Sequence, residues 1–316
     1  MYGNYYEVDL TMATAPQGTA RRVQFALISN GRSPHNDNHR RILNAANALR
    51  WQTHLFDHSA LCHYAGAAAV RNPTSKPLGH RLLDSFDLVW VLGLGTQGDF
   101  LDRAQILTDL PAHKLVNTAQ GIVALHAKHL QLPHSPMAFS SNDPDWLCEV
   151  TADYSATVAW VVKPSAGSFG RGVKVAQTAA QLRELVELAT KDNTYCVVQE
   201  FIATIAAGET RTLVLNKQII GSYLRTPNHD FLANLSSGAS ATAVELSETE
   251  ETQIMEVAEA LEQRGIRFAA IDMTFPYLIE VNVANPGGLA TLAALGEEED
   301  ERASLRFRQA LASLLP

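Results

Sequence analysis

Over its first third the chain alternates short apolar runs with segments of helical spacing. RVQFALIS (22–29), THLFD (53–57), FDLVWVL (86–92) and KLVN (114–117) read as strands. NHRRILNAANALRW (38–51) places Ile42, Leu43, Ala46 and Leu49 on one helical face, and DFLDRAQILTDL (99–110) reads as a second helix. Strands alternating with helices predict a small parallel sheet.

From Thr118 the rhythm changes. TAQGIVALHAKHL (118–130) is spaced as a helix, and TVAWVVKP (157–164), VKVA (173–176) and the helix AAQLRELVELAT (179–190) suggest a second, smaller α+β unit. YCVVQEFI (195–202), TRTLVLN (210–216) and IIGSYLR (219–225) read as antiparallel strands of a third unit, with a tight turn at Asn216-Lys217. In SETEETQIMEVAEALEQRG (247–265), Ser247 and Glu250 form a capping box and Gly265 stops the helix. FAAIDMTF (268–275) and YLIEVNV (277–283) read as the two strands of a hairpin.

Composition adds limits. A net charge of −8 argues against generic nucleic-acid binding, which depends on neutralising phosphates. No apolar run approaches the roughly 18 residues of a membrane span, and the first residues lack the apolar core of a signal peptide. Cys62, Cys148 and Cys196 are few and far apart, which suits a reducing compartment; the expectation is a cytoplasmic protein.

The candidate chemistry lies in three places. Asp272 is the one charge in FAAIDMTF, and Glu280 and Asn282 share a face of YLIEVNV. Joined by a short turn, the strands bring Asp272 opposite or nearly opposite Glu280. Like charges so placed repel unless a cation sits between them, and two carboxylates with an amide suit Mg²⁺ shared with phosphates. On this reading Asp272→Asn relieves repulsion in the absence of metal. The loop KPSAGSFGRG (163–172) follows a strand-end lysine, and its glycines allow N–H groups to surround an anion, although a surface hairpin explains it equally when taken alone. Arg211 and Arg225 are charges on otherwise apolar strands; surface ion pairing is the plain alternative for either.

In order, these residues resemble the ATP-grasp superfamily, and most closely the prokaryotic glutathione synthetases, from about Val23 to the end. The resemblance implies a three-domain ATP-grasp fold of mixed α/β and α+β type. It divides the chain into a tail (1–21), a small parallel-sheet substrate domain (22–118), a flap-bearing central domain (119–196) and an antiparallel-sheet catalytic domain (197–316). It implies ATP and Mg²⁺ (or Mn²⁺), and ligation of a carboxylate to an amine through an acyl phosphate. Lys128 and Lys163 resemble the two ATP lysines, and Gly167, Ser168, Phe169, Gly170 and Gly172 the phosphate lid. Gln199, Glu200, Phe201 and Ile202 resemble the adenine hinge and Glu209 the acid on the ribose hydroxyls. Arg211, Arg225 and Asn234 match residues near the transferred phosphoryl group, and Asp272, Glu280 and Asn282 match the metal ligands. The implied partners are amino-acid or peptide substrates and copies of the chain itself, as a dimer or tetramer.

The substrate half departs from the family. Phe231-Leu232-Ala233 stands where an arginine-glycine pair is expected, and Asn285-Pro286-Gly287 replaces Ser-Pro-Thr. The stretch from Gly93 to Gly98 matches G-x-G-x-x-G, but it follows the third strand and no acidic residue lies about 20 positions on, so a substrate-domain loop is the better reading. Two other functions use the same nucleotide site: a kinase phosphorylating a small molecule, and a non-catalytic ATP-binding protein.

Overall fold

The computed structural model describes residues 21–29, 38–72, 79–93, 95–129, 131–154, 159–165, 171–226 and 240–315. The flap residues Gly167, Ser168, Phe169 and Gly170, together with Asn234, lie outside this set.

The first elements are β1 (Gln24–Ser29), α1 (Asn38–Ala48), β2 (Gln52–Phe56), β3 (Leu61–Tyr64), β4 (Ala67–Asn72), β5 (Gly79–Leu82), β6 (Leu88–Leu92), α2 (Phe100–Leu107) and α3 (Ala119–His126). Next come β7 (Ala138–Ser141), α4 (Pro144–Ala152), β8 (Trp160–Pro164), β9 (Lys174–Ala176), α5 (Ala179–Ala189) and β10 (Cys196–Glu200). The last are β11 (Glu209–Leu215), β12 (Gln218–Thr226), β13 (Ser240–Ala243), α6 (Glu248–Glu262), β14 (Phe268–Thr274), β15 (Tyr277–Asn282), α7 (Leu289–Leu295) and α8 (Glu297–Ala312).

The expected parallel sheet is present in the order β2-β1-β6. KLVN does not extend it as a strand: Leu115 makes a single bridge to Val89, and Asn117 turns away to bridge Ile266. A second small sheet, β3-β4-β5, fills a stretch where the sequence pattern predicted nothing. The middle sheet runs β7-β10-β8-β9. YCVVQEFI therefore belongs to the middle sheet and not to the third unit. The reason is burial: Cys196, Val197 and Val198 are fully covered, and β10 is the interior strand between β7 and β8.

The largest sheet is antiparallel, β13-β12-β11-β14-β15. Its β11–β12 turn has Asn216 and Lys217 at φ of 48° and 57°, the left-handed pair that a tight hairpin needs. The capping box at Ser247 and Glu250 forms as expected.

Two cores link the first and last thirds of the chain. Trp90 of β6 meets Phe268 of β14 edge-on at 5.0 Å and lies over Phe307 of α8. The middle sheet has its own core around Trp160, Leu182, Val186 and Val198. The parallel and the large antiparallel sheets therefore make one body, with the middle sheet packed beside it.

Asn117 locks that body together. It is 2% exposed, and its Nδ2 donates to the carbonyls of Phe268 (2.7 Å) and Val283 (2.8 Å). Its Oδ1 accepts from the N–H groups of Arg267 (2.9 Å) and Phe268 (2.8 Å). One side chain thus holds the start of β14 against the end of β15. Asn117→Ala leaves these backbone groups buried and unpaired, so a loss of about 2–4 kcal/mol is expected. Urea denaturation followed by circular dichroism measures it.

Candidate active site

Strand alternation sets the site. Tyr223 on β12, Arg211 on β11, Asp272 on β14 and Glu280 on β15 are successive register partners, so they form one row across one face of the large sheet. In the neighbouring row Glu209 faces Arg225.

Asp272 is 2% exposed. It accepts from Arg211 Nε at 2.7 Å and Nη2 at 2.6 Å, a bidentate pair. Arg225 Nη2 lies 2.9 Å from Oδ2, and Asn282 Nδ2 donates to the same oxygen at 3.1 Å. Arg225 also pairs with Glu209. Burial alone would push the Asp272 carboxyl up; the Arg211 and Arg225 guanidiniums outweigh it and hold the group well below the usual carboxylate range. Burial likewise works against the charge on Arg211, but Asp272 overrides it and raises that group.

This corrects the expected repulsion between Asp272 and Glu280. They are register partners, yet Asp272 is neutralised from the neighbouring strands and Glu280 from Lys128, whose Nζ lies 3.2 Å from Oε1. Arg225 is a buried partner of the site and Arg211 a mostly enclosed one, and neither is a surface charge.

The second half of the site is a cleft between the middle sheet and β15, lined by Lys128, Lys163, Gln199, Leu278, Ile279 and Glu280 among others. Lys128 follows the end of α3, which stops at His126 and not at Leu130 as its spacing suggested. Its N–H donates to the Ser165 carbonyl at 2.9 Å, tying it to the root of the flap. Lys163, at the end of β8, donates Nζ to Gln199 Oε1 on the paired strand β10. Burial, with Lys128 adding repulsion, pushes Lys163 down to about 8 against the opposing pull of Glu280.

Other expected residues stand apart. The N–H groups of Glu200 and Phe201 bond the Met137 and Ala159 carbonyls at 2.9 Å each, and Ile202 is buried. Glu209 is enclosed beside Arg225. Gly172 sits at the foot of the flap with φ of 76°, where a Cβ would come 2.9 Å from Pro164.

Some contributors carried no clear sequence signal. Tyr223, buried on β12, is the register partner of Arg211, and two residues before Arg225 it shares that residue's face of the strand. Asn38, at the start of α1, donates to Asn285 Oδ1 at 3.1 Å, and Gly93 N–H donates to the Ala284 carbonyl at 2.7 Å. These contacts bring the carboxyl edge of the parallel sheet to the segment after β15. The glycine-rich stretch that begins at Gly93 thus starts against the segment that follows β15.

The donor set fits a hard divalent cation. A carboxylate has about four lone-pair sites. Of the contacts above, Arg211 Nε is the one on Asp272 Oδ1, and Asn282 keeps its carbonyl oxygen when its amide nitrogen faces Asp272. No cluster of three or more His, Cys, Asp or Glu arranged for a metal exists among the described residues. Two carboxylates and an amide could hold such an ion only with further oxygen ligands from outside the protein. Among the described residues no helix is long and apolar enough to cross a membrane.

A family model for the ATP-grasp domain of prokaryotic glutathione synthetase matches residues 134–297. Glutathione synthetase of Parasynechococcus marenigrum (strain WH8102) is 35% identical over 141 residues, 44% of this chain and 46% of that protein. That of Bradyrhizobium diazoefficiens is 29% identical over 217 residues, 67% of this chain and 65% of that one. The chain thus spans about half the length of the first of these relatives (46%). Among solved structures, D-cycloserine synthetase DcsG superposes with a TM-score of 0.63 at 15% identity, covering 92% of this chain and 99% of its own. The macrocyclase MdnC of Microcystis aeruginosa MRC, bound with precursor peptide MdnA, gives 0.60 at 18%, covering 90% and 99%. These likenesses share the fold, and the matched family model spans more than half of the sequence: the chain belongs to the prokaryotic glutathione synthetase family of ATP-grasp proteins.

Proposed function

We propose that this protein is an ATP- and Mg²⁺-dependent ligase that joins the carboxylate of one amino-acid or peptide substrate to the amine of another through an acyl phosphate. The observation that carries this reading is the row Tyr223–Arg211–Asp272–Glu280, which meets Lys128 and Lys163 at one end. It sets cations for phosphate oxygens beside oxygen ligands for a metal.

Lys128 and Lys163 would neutralise phosphate oxygens of ATP in the cleft. Asp272, Glu280 and Asn282 would hold the metal, which when bound supplies charge neutralisation to the phosphates. Arg211 and Arg225 would face the transferring phosphoryl group as a donor carboxylate oxygen attacks the γ-phosphorus and ADP leaves. The acceptor nitrogen then attacks the acyl carbon, loses a proton, and phosphate departs. The segment 163–172 would cover the site and exclude water from the acyl phosphate. In this reading the domain division stays as expected, except that membership of β10 in the middle sheet moves the last boundary past Glu200.

The test is Mg²⁺-dependent ADP release with paired amino acids and γ-glutamyl peptides, read with product masses. A product equal to donor plus acceptor less water supports ligation. A stable phosphorylated compound formed without any amine points to a kinase.

Lys163 makes the reading pH-sensitive. With its pKa lowered from 10.5 to about 8, its charge is full below that value and fades as pH rises through it. Phosphate binding favours the charged form, so ATP affinity is expected to fall by up to about tenfold per pH unit above 8. Titration calorimetry from pH 7 to about 9.5 checks this, with Lys163→Met expected to bind weakly and without that slope.

A further inference from the structure

Lys128 and Lys163 both line the cleft, but their partners differ in kind. Lys128 Nζ lies 3.2 Å from Glu280 Oε1, a carboxylate. Lys163 Nζ donates to Gln199 Oε1, a neutral amide, and among the described residues no ion pair joins it to a carboxylate. Lys163 is nevertheless only 8% exposed. A buried ammonium is ordinarily matched by an opposite charge.

The contact is built into the middle sheet. In the β8–β10 ladder Lys163 faces Val197, and Gln199 faces Val161. Lys163 and Gln199 are therefore diagonal neighbours on one face, within reach of long side chains. Trp160, Val162 and Val198 alternate to the other face and form its core. By the same alternation Glu200 turns away from Lys163. β10 is paired on both sides, so the backbone that carries Gln199 is held in place. The other titratable side chains on the cleft wall are Lys128, His129 and Glu280. Burial acts most strongly on Lys163 and lowers it to about 8, with Lys128 adding to this and Glu280 opposing it. An amide oxygen orients an ammonium but carries no charge to cancel it. A carboxylate in its place would favour the charged form and compete with phosphate for it.

We propose that Gln199 is a positioning residue for Lys163: its amide oxygen anchors the ammonium in the cleft and leaves the positive charge uncancelled for a phosphate oxygen of the nucleotide. This rests on the ATP-dependent reading above. The identity of residue 199 then sets the pH range over which Lys163 serves phosphate.

Two titrations of the full chain, from pH 6.5 to about 10.5, test the proposal. The first follows Lys163 by NMR in protein labelled with ¹³C at lysine Cε, with Lys163→Arg assigning its signal. Gln199→Glu is expected to move the Lys163 midpoint up by about one pH unit or more, and Gln199→Met to move it down. The second measures ADP affinity by calorimetry with Mg²⁺. Gln199→Glu is expected to weaken ADP about tenfold at pH 7 and to shift its alkaline fall upward, whereas with Gln199→Met the fall begins at lower pH. A Lys163 midpoint unmoved in both variants overturns the proposal. So does an equal loss of ADP affinity in both variants at every pH, the mark of a residue acting on the nucleotide or the fold alone. Should Gln199→Glu not fold, the Gln199→Met midpoint decides, downward in support and unmoved against. Wild-type protein that binds no ADP removes the ATP-dependent reading, and the NMR titration still decides whether Gln199 governs Lys163.

Discussion

Asp272→Asn is expected to cost about 3–5 kcal/mol of folding stability, because it removes one partner from a buried ion cluster. The wild-type carboxylate takes both Arg211 nitrogens, Arg225 Nη2 and Asn282 Nδ2 on its two oxygens. An asparagine offers one acceptor oxygen and turns an N–H₂ group toward guanidinium donors. Urea denaturation read by circular dichroism gives the loss directly, and an unchanged midpoint would contradict the cluster. The pH dependence has a definite sign. Burial opposes the Asp272 charge and the two arginines overcome it, so the folded pKa is lowered. The stabilising contribution is then present above the ordinary carboxylate range and is lost as pH falls below it toward the lowered folded value. The variant should lose this part of its acid sensitivity.

Glu280→Gln is expected to do the reverse: little to the fold, much to turnover. Glu280 has a side chain 30% exposed and pairs through one oxygen with Lys128. Losing such a part-exposed pair costs about 1 kcal/mol or less. In the cleft, however, the same carboxylate is the proposed metal ligand beside Asp272, and Mg²⁺-dependent ADP formation should fall about 100-fold or more. Steady-state assays across a range of Mg²⁺ concentrations check this. Near-normal turnover would remove Glu280 from the metal site. Together the two variants would divide the row, a loss of both stability and turnover for Asp272→Asn against a loss mainly of turnover for Glu280→Gln.

The strand pattern brought Asp272 opposite or nearly opposite Glu280, but a regular ladder from the short turn would pair it with Ile279; a bulge between Asp272 and Met273 makes Glu280 its register partner. The pattern could not reveal what faces Asp272 from the other side. The β11–β14 pairing joins residues 61 apart in sequence, Arg211 and Asp272, and nothing local announces it. That is why repulsion was expected where the structure has neutralisation. The same limit explains β10: its apolar run signals a buried strand, but not which sheet buries it. The β3-β4-β5 sheet escaped notice because its central strand is rich in alanine, AAAVRN, and shows little alternation. Asn117 shows the limit for single residues. A polar side chain ending a short apolar run gives no sign of four hydrogen bonds to distant backbone.

The chemistry claimed for this face is transfer of the γ-phosphoryl group to a carboxylate oxygen. The most direct measurement uses the donor–acceptor pair that supports ADP release, with the donor carboxylate labelled in ¹⁸O. The account predicts that each turnover carries one labelled oxygen from the donor into inorganic phosphate. Phosphate without label, or label retained in a stable phosphorylated compound, would contradict it.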